Sequence, residues 1–173
     1  LMLGLRKGGM LAIGKHFPGH GYIQTDSHHA ISIDHRLYAD IELNDLRPFQ
    51  KMIDYGLAGI MPAHVIYPNI DQNPAGFSST WLQKILRAEM QFEGCIFSDD
   101  LSMRGAADYL ESIIMRARTA LNAGCDMVLV CNNPQGVDAL LSQLQWEMSA
   151  TSLSRLARMH ARNNFGSMTK LRE

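Results

Sequence analysis

A chain of 173 residues is long enough for one ordinary domain with a core, and 46% hydrophobic with 19% charged residues is a globular composition. A formal net charge of −1 gives no electrostatic case for nucleic acid or an anionic membrane as partner, and no apolar run approaches a membrane span. The three cysteines, Cys95, Cys125 and Cys131, lie in or beside apolar segments without a CxxC pair, so buried reduced thiols are expected, with the cytoplasm as default compartment.

Leu1–Lys7 reads as the last turns of a helix, with Arg6 and Lys7 suited to its C-terminus and Gly8–Gly9 to the stop after it. A natural domain seldom begins there, which points to further sequence upstream. Met10–Gly14 reads as a first strand, followed by the polar stretch Lys15–His29, which holds four of the seven histidines. Ile31–Ile41 is expected to be irregular. A helix follows at about Asp45–Tyr55, with Leu46, Phe49 and Ile53 on one face and Gly56 as stop. Leu57–Met61 is a second strand, and Pro68–Phe77 a loop rich in Asn, Asp, Pro and Gly. Ser78 or Ser79 then caps a helix that buries Leu82, Ile85 and Leu86. Gly94–Phe97 is a third strand. The next helix carries the stripe Leu110, Ile113, Ile114, Ala117 and Leu121 and stops at Gly124; Met127–Val130 is a fourth strand. Helices at about Gln135–Trp146 and Ser152–Asn163 precede a polar end.

Each strand is a continuous apolar run, the pattern of a parallel sheet covered by helices, and the alternation of strands with helices makes βα repeats. The polar motifs KHFPGHG, PAHVIY, SDDLSM and CNNP all fall at strand C-terminal ends, where α/β proteins place their sites. No GxGxxG or GxxxxGK[ST] follows a strand, which counts against a nucleotide-binding sheet. Four βα units are half of a (β/α)8 barrel, which needs roughly 250 residues. The fold class is therefore α/β: the second half of a TIM barrel, four parallel strands with covering helices, or a small open sheet. The helix-like start favours the half-barrel.

Adjacent Asp99 and Asp100 after an apolar strand cannot both be core residues, since an unpaired buried carboxylate is costly. One of them either caps the following turn or serves as a nucleophilic or basic carboxylate. The D-x-H spacing of Asp26 and His28 lets the aspartate fix the imidazole tautomer and raise its basicity. His16, His20, Asp26 and His28 could instead ligate a metal, although their spacing matches no usual zinc pattern. Lys15 and His16 would reach a polar substrate as donors, or remain surface groups. His64, a lone histidine at a strand end, is at least as often structural. The chemistry read so far is a hydrolase with a carboxylate and an Asp–His pair, acting on a polar neutral substrate.

KHFPGHG with four residues to DSH, then PAHVIY and FSDDLSM, closely resembles the bacterial β-N-acetylglucosaminidases of glycoside hydrolase family 3, and within them the cytoplasmic enzymes of peptidoglycan recycling. The resemblance runs from Gly14 to about Asn133. It implies a retaining exo-hydrolase that removes terminal N-acetylglucosamine from GlcNAc-1,6-anhydro-N-acetylmuramic acid, with or without stem peptide. On the matching positions Asp99 would be the nucleophile, His28 the general acid/base paired with Asp26, and Lys15 and His16 the sugar-binding donors. No metal or cofactor is implied. Residues 1–173 would form a single partial catalytic domain lacking four upstream βα units. Its open strand edges would favour self-association or pairing with the missing N-terminal half. The rival readings are an inactive half-barrel, a metal-dependent hydrolase using the histidines, and a sugar-binding module without chemistry.

Overall fold

The computed structural model describes residues 1–23 and 31–160. Helix α1 (Met2–Lys7) leads into β1 (Ile13–Phe17), and a two-residue strand β2 (Ser32–Ile33) follows. A helical run comes next, built of α2 (Tyr38–Ile41), a π-type stretch Glu42–Leu46 and α3 (Arg47–Asp54). Strands β3 (Gly59–Pro62), β4 (Val65–Tyr67) and β5 (Asp71–Pro74) precede a π-type helix at Thr80–Glu89. Then come β6 (Cys95–Asp100), α4 (Arg104–Tyr109), α5 (Ile113–Ala123), β7 (Met127–Leu129), α6 (Pro134–Gln143) and α7 (Ala150–Arg158).

The main sheet has the order β1-β3-β6-β7, all parallel, so strands adjacent in space follow one another along the chain with helices between them. That is the winding of successive barrel units, and it sets the four strand C-terminal ends side by side. Gly59 is required where three strands crowd together: a Cβ there would lie 2.9 Å from Phe97 and 3.1 Å from Ile13. A second, small sheet of order β2-β4-β5 sits beyond the ends of β1 and β3. The core lies between sheet and helices. Phe17, Ile60 and Ile96 from the strands meet Trp81, Leu82 and Leu86 from the π-type helix, all at or near zero exposure. Phe17 and Tyr67 both pack edge-on against Trp81, with ring centroids 5.9 Å and 5.0 Å away.

Burial of Leu82, Ile85 and Leu86, the cap at Ser78 (its Oγ accepts the Trp81 N–H at 3.0 Å) and the stop at Gly124, φ +124°, follow the sequence reading. Several boundaries do not. β1 begins at Ile13, after the exposed Met10 and Leu11, and runs through Lys15 and His16; β6 runs on through Ser98, Asp99 and Asp100. Apolar runs therefore end these strands too early, because a strand whose tip bears a site carries polar residues within its pairing. The expected irregular segment Ile31–Ile41 holds β2 and α2, and the expected loop Pro68–Phe77 holds β5. The stripe placed on one helix from Leu110 is divided, since Leu110 ends α4 and α5 starts at Ile113. Cys95 and Cys125 are buried as expected, but Cys131 is exposed, because it lies past the end of β7. Among the described residues no helix is long and apolar enough to cross a membrane.

Candidate active site

The two aspartates at the tip of β6 have separate tasks. The Asp100 carboxylate faces backbone: its Oδ1 accepts the N–H of Ser102 at 2.8 Å and of Cys131 at 2.9 Å, closing the turn and tying it to the chain leaving β7. Asp99 accepts the Asp100 N–H on Oδ1 at 2.8 Å and presents Oδ2 to His16 Nε2, 3.7 Å away. Its side chain is 13% exposed and that of His16 33%, so both groups reach solvent at the strand ends. Asp100 is thus the capping carboxylate and Asp99 the one available for chemistry. Ser98, buried behind them, accepts the Leu129 N–H on Oγ at 2.9 Å and seals β6 to β7.

His16 lies in β1, beside the exposed Lys15, and the peptide bonds Lys15–His16 and Phe17–Pro18 are both cis. Past β1 the chain is held by a cluster that sequence reasoning missed. Tyr67 OH donates to the Gly19 carbonyl at 2.6 Å, and Asp45 packs so closely on Gly19 that a Cβ there would fall 2.2 Å from Oδ1. Arg36 grips the buried Asp34 through Nε and Nη2, donates to Asp45 at 2.7 Å and lies 4.3 Å over the Tyr22 ring. These two carboxylates, Asp34 first, hold the guanidinium firmly charged. The D-x-R spacing of Asp34 and Arg36 was a legible signal for this grip. Asp26 and His28 lie outside the described residues.

His64 is buried, 1% exposed, below the strand tips. Its Nε2 lies 3.1 Å from the Asp100 carbonyl oxygen, and its ring stacks on Phe77 at 5.3 Å. Burial lowers its pKa, opposed by the nearby Asp99 carboxylate, so the neutral imidazole is favoured. The structure therefore brings His16 and Asp99 together, leaves Lys15 exposed next to His16 in β1, and turns His64 toward the backbone rather than the mouth. Among the described residues no three of His, Cys, Asp and Glu gather as a metal site.

This arrangement can be compared with known proteins. The model of the glycosyl hydrolase family 3 N-terminal domain matches residues 1–159. The chain belongs to glycosyl hydrolase family 3. Its family relatives include proteins named beta-hexosaminidase from Nitrosospira multiformis, 58% identical over 173 residues, and from Nitrosomonas eutropha, 60% identical over 173 residues; each match takes in 100% of this chain and 49% of the relative. The chain thus spans about half the length of the curated relatives it matches. Among solved structures it resembles NagZ from Neisseria gonorrhoeae in complex with N-trifluoroacetyl-D-glucosamine, with TM-score 0.84 and 45% identity over 92% of this chain and 45% of that one. The half-barrel expectation agrees with this family fold, of which the described residues supply four parallel strands.

Proposed function

We propose that this chain carries the reacting groups of a retaining β-N-acetylhexosaminidase, residues 1–173 acting as one partial catalytic domain. The observation that supports it best is the Asp99 carboxylate at the C-terminal tip of β6, freed for chemistry by Asp100 and facing His16. Asp99 attacks the anomeric carbon while His28 protonates the leaving glycosidic oxygen, and a covalent glycosyl ester forms. His28 then removes a proton from water, which attacks the same carbon and releases Asp99. An imidazole in the second role departs from the usual pair of carboxylates. It suits the chemistry, because it titrates near neutral pH and, as a neutral base, does not repel Asp99. Asp26 orients His28, and Lys15 and His16 donate to sugar hydroxyls. Terminal N-acetylglucosamine on a 1,6-anhydromuramic acid, with or without peptide, is the proposed substrate, processed in the cytoplasm during peptidoglycan recycling. A NagZ with an acylated glucosamine bound supports the sugar class.

β1 and β7 each have one neighbour among the described strands, and Ile13 and Met127 on them are exposed. We therefore propose that these edges pair with the complementary half of a family barrel, or with a second copy of the chain. The test is hydrolysis of 4-nitrophenyl N-acetyl-β-glucosaminide by the chain, alone and mixed with the segment of the Nitrosospira multiformis relative outside the match. Expected is little turnover alone, turnover in the mixture, and its loss with Asp99→Asn. Turnover that Asp99→Asn leaves intact, or a first-formed sugar of inverted configuration, would refute the assignment.

A further inference from the structure

The tip of β6 extends beyond its ladder with β3. The last pair between them is Ile60 with Ile96, four residues before Asp100. From there β3 offers Met61 and Pro62, and Pro62 has no N–H to donate. On its other side the tip is tied: Leu101 N–H donates to Leu129 O at 2.8 Å, and Ser98 Oγ takes the Leu129 N–H. The His64 ring, from the chain just past β3, reaches it with Nε2 3.1 Å from Asp100 O. A carbonyl oxygen only accepts, so Nε2 carries the hydrogen. Nδ1 is buried with no hydrogen-bond partner among the described residues, as befits a neutral ring used through one nitrogen. Stacking on Phe77 fixes the plane of that ring.

We infer that His64 is a positioning residue for Asp99, its Nε2–H holding the Asp100 carbonyl where the β3 ladder has already ended. Asp100 is held at both ends of the residue: its N–H sits on Asp99 Oδ1 and its carbonyl on His64. Release of the carbonyl lets the Asp99–Asp100 backbone turn, and with it the carboxylate that faces His16. A histidine that merely filled space would be replaced by leucine without consequence at the tip. The role in turnover rests on the hydrolase reading; the pin itself does not.

The test compares wild type, His64→Leu and His64→Gln. Leucine keeps the volume and removes the donor, whereas glutamine retains an N–H of similar reach. Amide hydrogen exchange at Asp100 and Leu101 is measured first and needs no activity. Exchange at least about tenfold faster in H64L, restored in H64Q, with distant amides unchanged, is expected for a hydrogen bond lost locally. In the active mixture kcat should fall roughly 10- to 100-fold in H64L with KM nearly unchanged, as small misplacements of a reacting group do, and H64Q should recover most of it. Unchanged exchange in H64L overturns the pin, and so does H64Q behaving as H64L. Faster exchange with unaltered kcat overturns the catalytic role. A wild-type chain with the expected exchange pattern that hydrolyses nothing in either form refutes the hydrolase reading and leaves the pin standing.

Discussion

Asp126 holds the end of the sheet opposite the site, and Asp126→Asn is a severe test of how the half-barrel is built. Its side chain is 1% exposed. Oδ2 accepts Arg87 Nη2 at 2.8 Å and the Ile96 N–H at 2.9 Å, while Oδ1 accepts Ser152 Oγ at 2.8 Å and faces Arg155 Nη1 at 3.5 Å. One carboxylate thus joins β6, the π-type helix and α7. Burial and then the neighbouring Arg155 push the Arg87 guanidinium down to about 10, so the carboxylate is what makes two close guanidiniums tolerable. Asparagine keeps the shape but offers one acceptor oxygen and turns an NH2 toward donors. Breaking a buried pair from one side costs about 3–5 kcal/mol, and an unsatisfied buried N–H such as that of Ile96 costs roughly 1–3 kcal/mol. The two overlap, since both are lost on one oxygen, so the expected destabilisation is about 3–5 kcal/mol. Against a typical total of about 5–15 kcal/mol, that is a large fraction. Urea denaturation followed by far-UV circular dichroism would measure it. A loss below about 1 kcal/mol, with an unchanged slope on urea, would refute the reasoning.

His64 also predicts a pH dependence. Its native pKa is lowered below the ordinary value of 6.5, so the unfolded chain binds a proton there that the native chain refuses. Stability is therefore full above about pH 6.5 and falls as pH drops toward the native value, by at most about 1.4 kcal/mol per pH unit for one group; H64Q should lack this part of the slope, and parallel wild-type and H64Q curves between pH 7 and 5 would contradict it. The thiols should separate by exposure. Native chain should react with Ellman's reagent at one thiol, Cys131, and at all three in urea, with burial pushing Cys95 up to about 12 and Cys125 also upward; three fast thiols in the native chain would contradict the described packing.

The strand–helix alternation was legible because each βα unit repeats one pattern, and the stripe Leu82, Ile85, Leu86 is buried where helical spacing places it. The strand tips were less legible. Polarity marks residues 15–16 and 98–100 as loop by composition, whereas both stretches lie in strands, with Lys15 and Asp100 paired and His16, Ser98 and Asp99 at the register irregularities between pairs. Which of Asp99 and Asp100 caps the turn depends on where the N–H groups of Ser102 and Cys131 lie, and side-chain identity carries no such information. His64 was ambiguous for the same reason, since its partner is a carbonyl of residue 100 rather than another side chain. Asp34, Arg36 and Asp45 left a clue in their charges, but the stacking of Arg36 on Tyr22 and the contact of Asp45 with Gly19 are tertiary.

The distance between His16 and Asp99 shows how far the fold shapes the candidate site. β1 and β6 are not neighbours; β3 lies between them, so their backbones are separated by two strand spacings, about 9.6 Å. Side-chain atoms 3.7 Å apart must then meet over the end of the middle strand. That requires β3 to stop early and to leave nothing bulky above its tip. Pro62 ends its pairing with β1, the next residue is the small and buried Ala63, and His64 turns down into the packing against Phe77. The short middle strand thus opens the space in which His16 and Asp99 meet, and the same shortness leaves the β6 tip without a ladder donor on that side. The side chain of His64 meets that need from below, without entering the mouth.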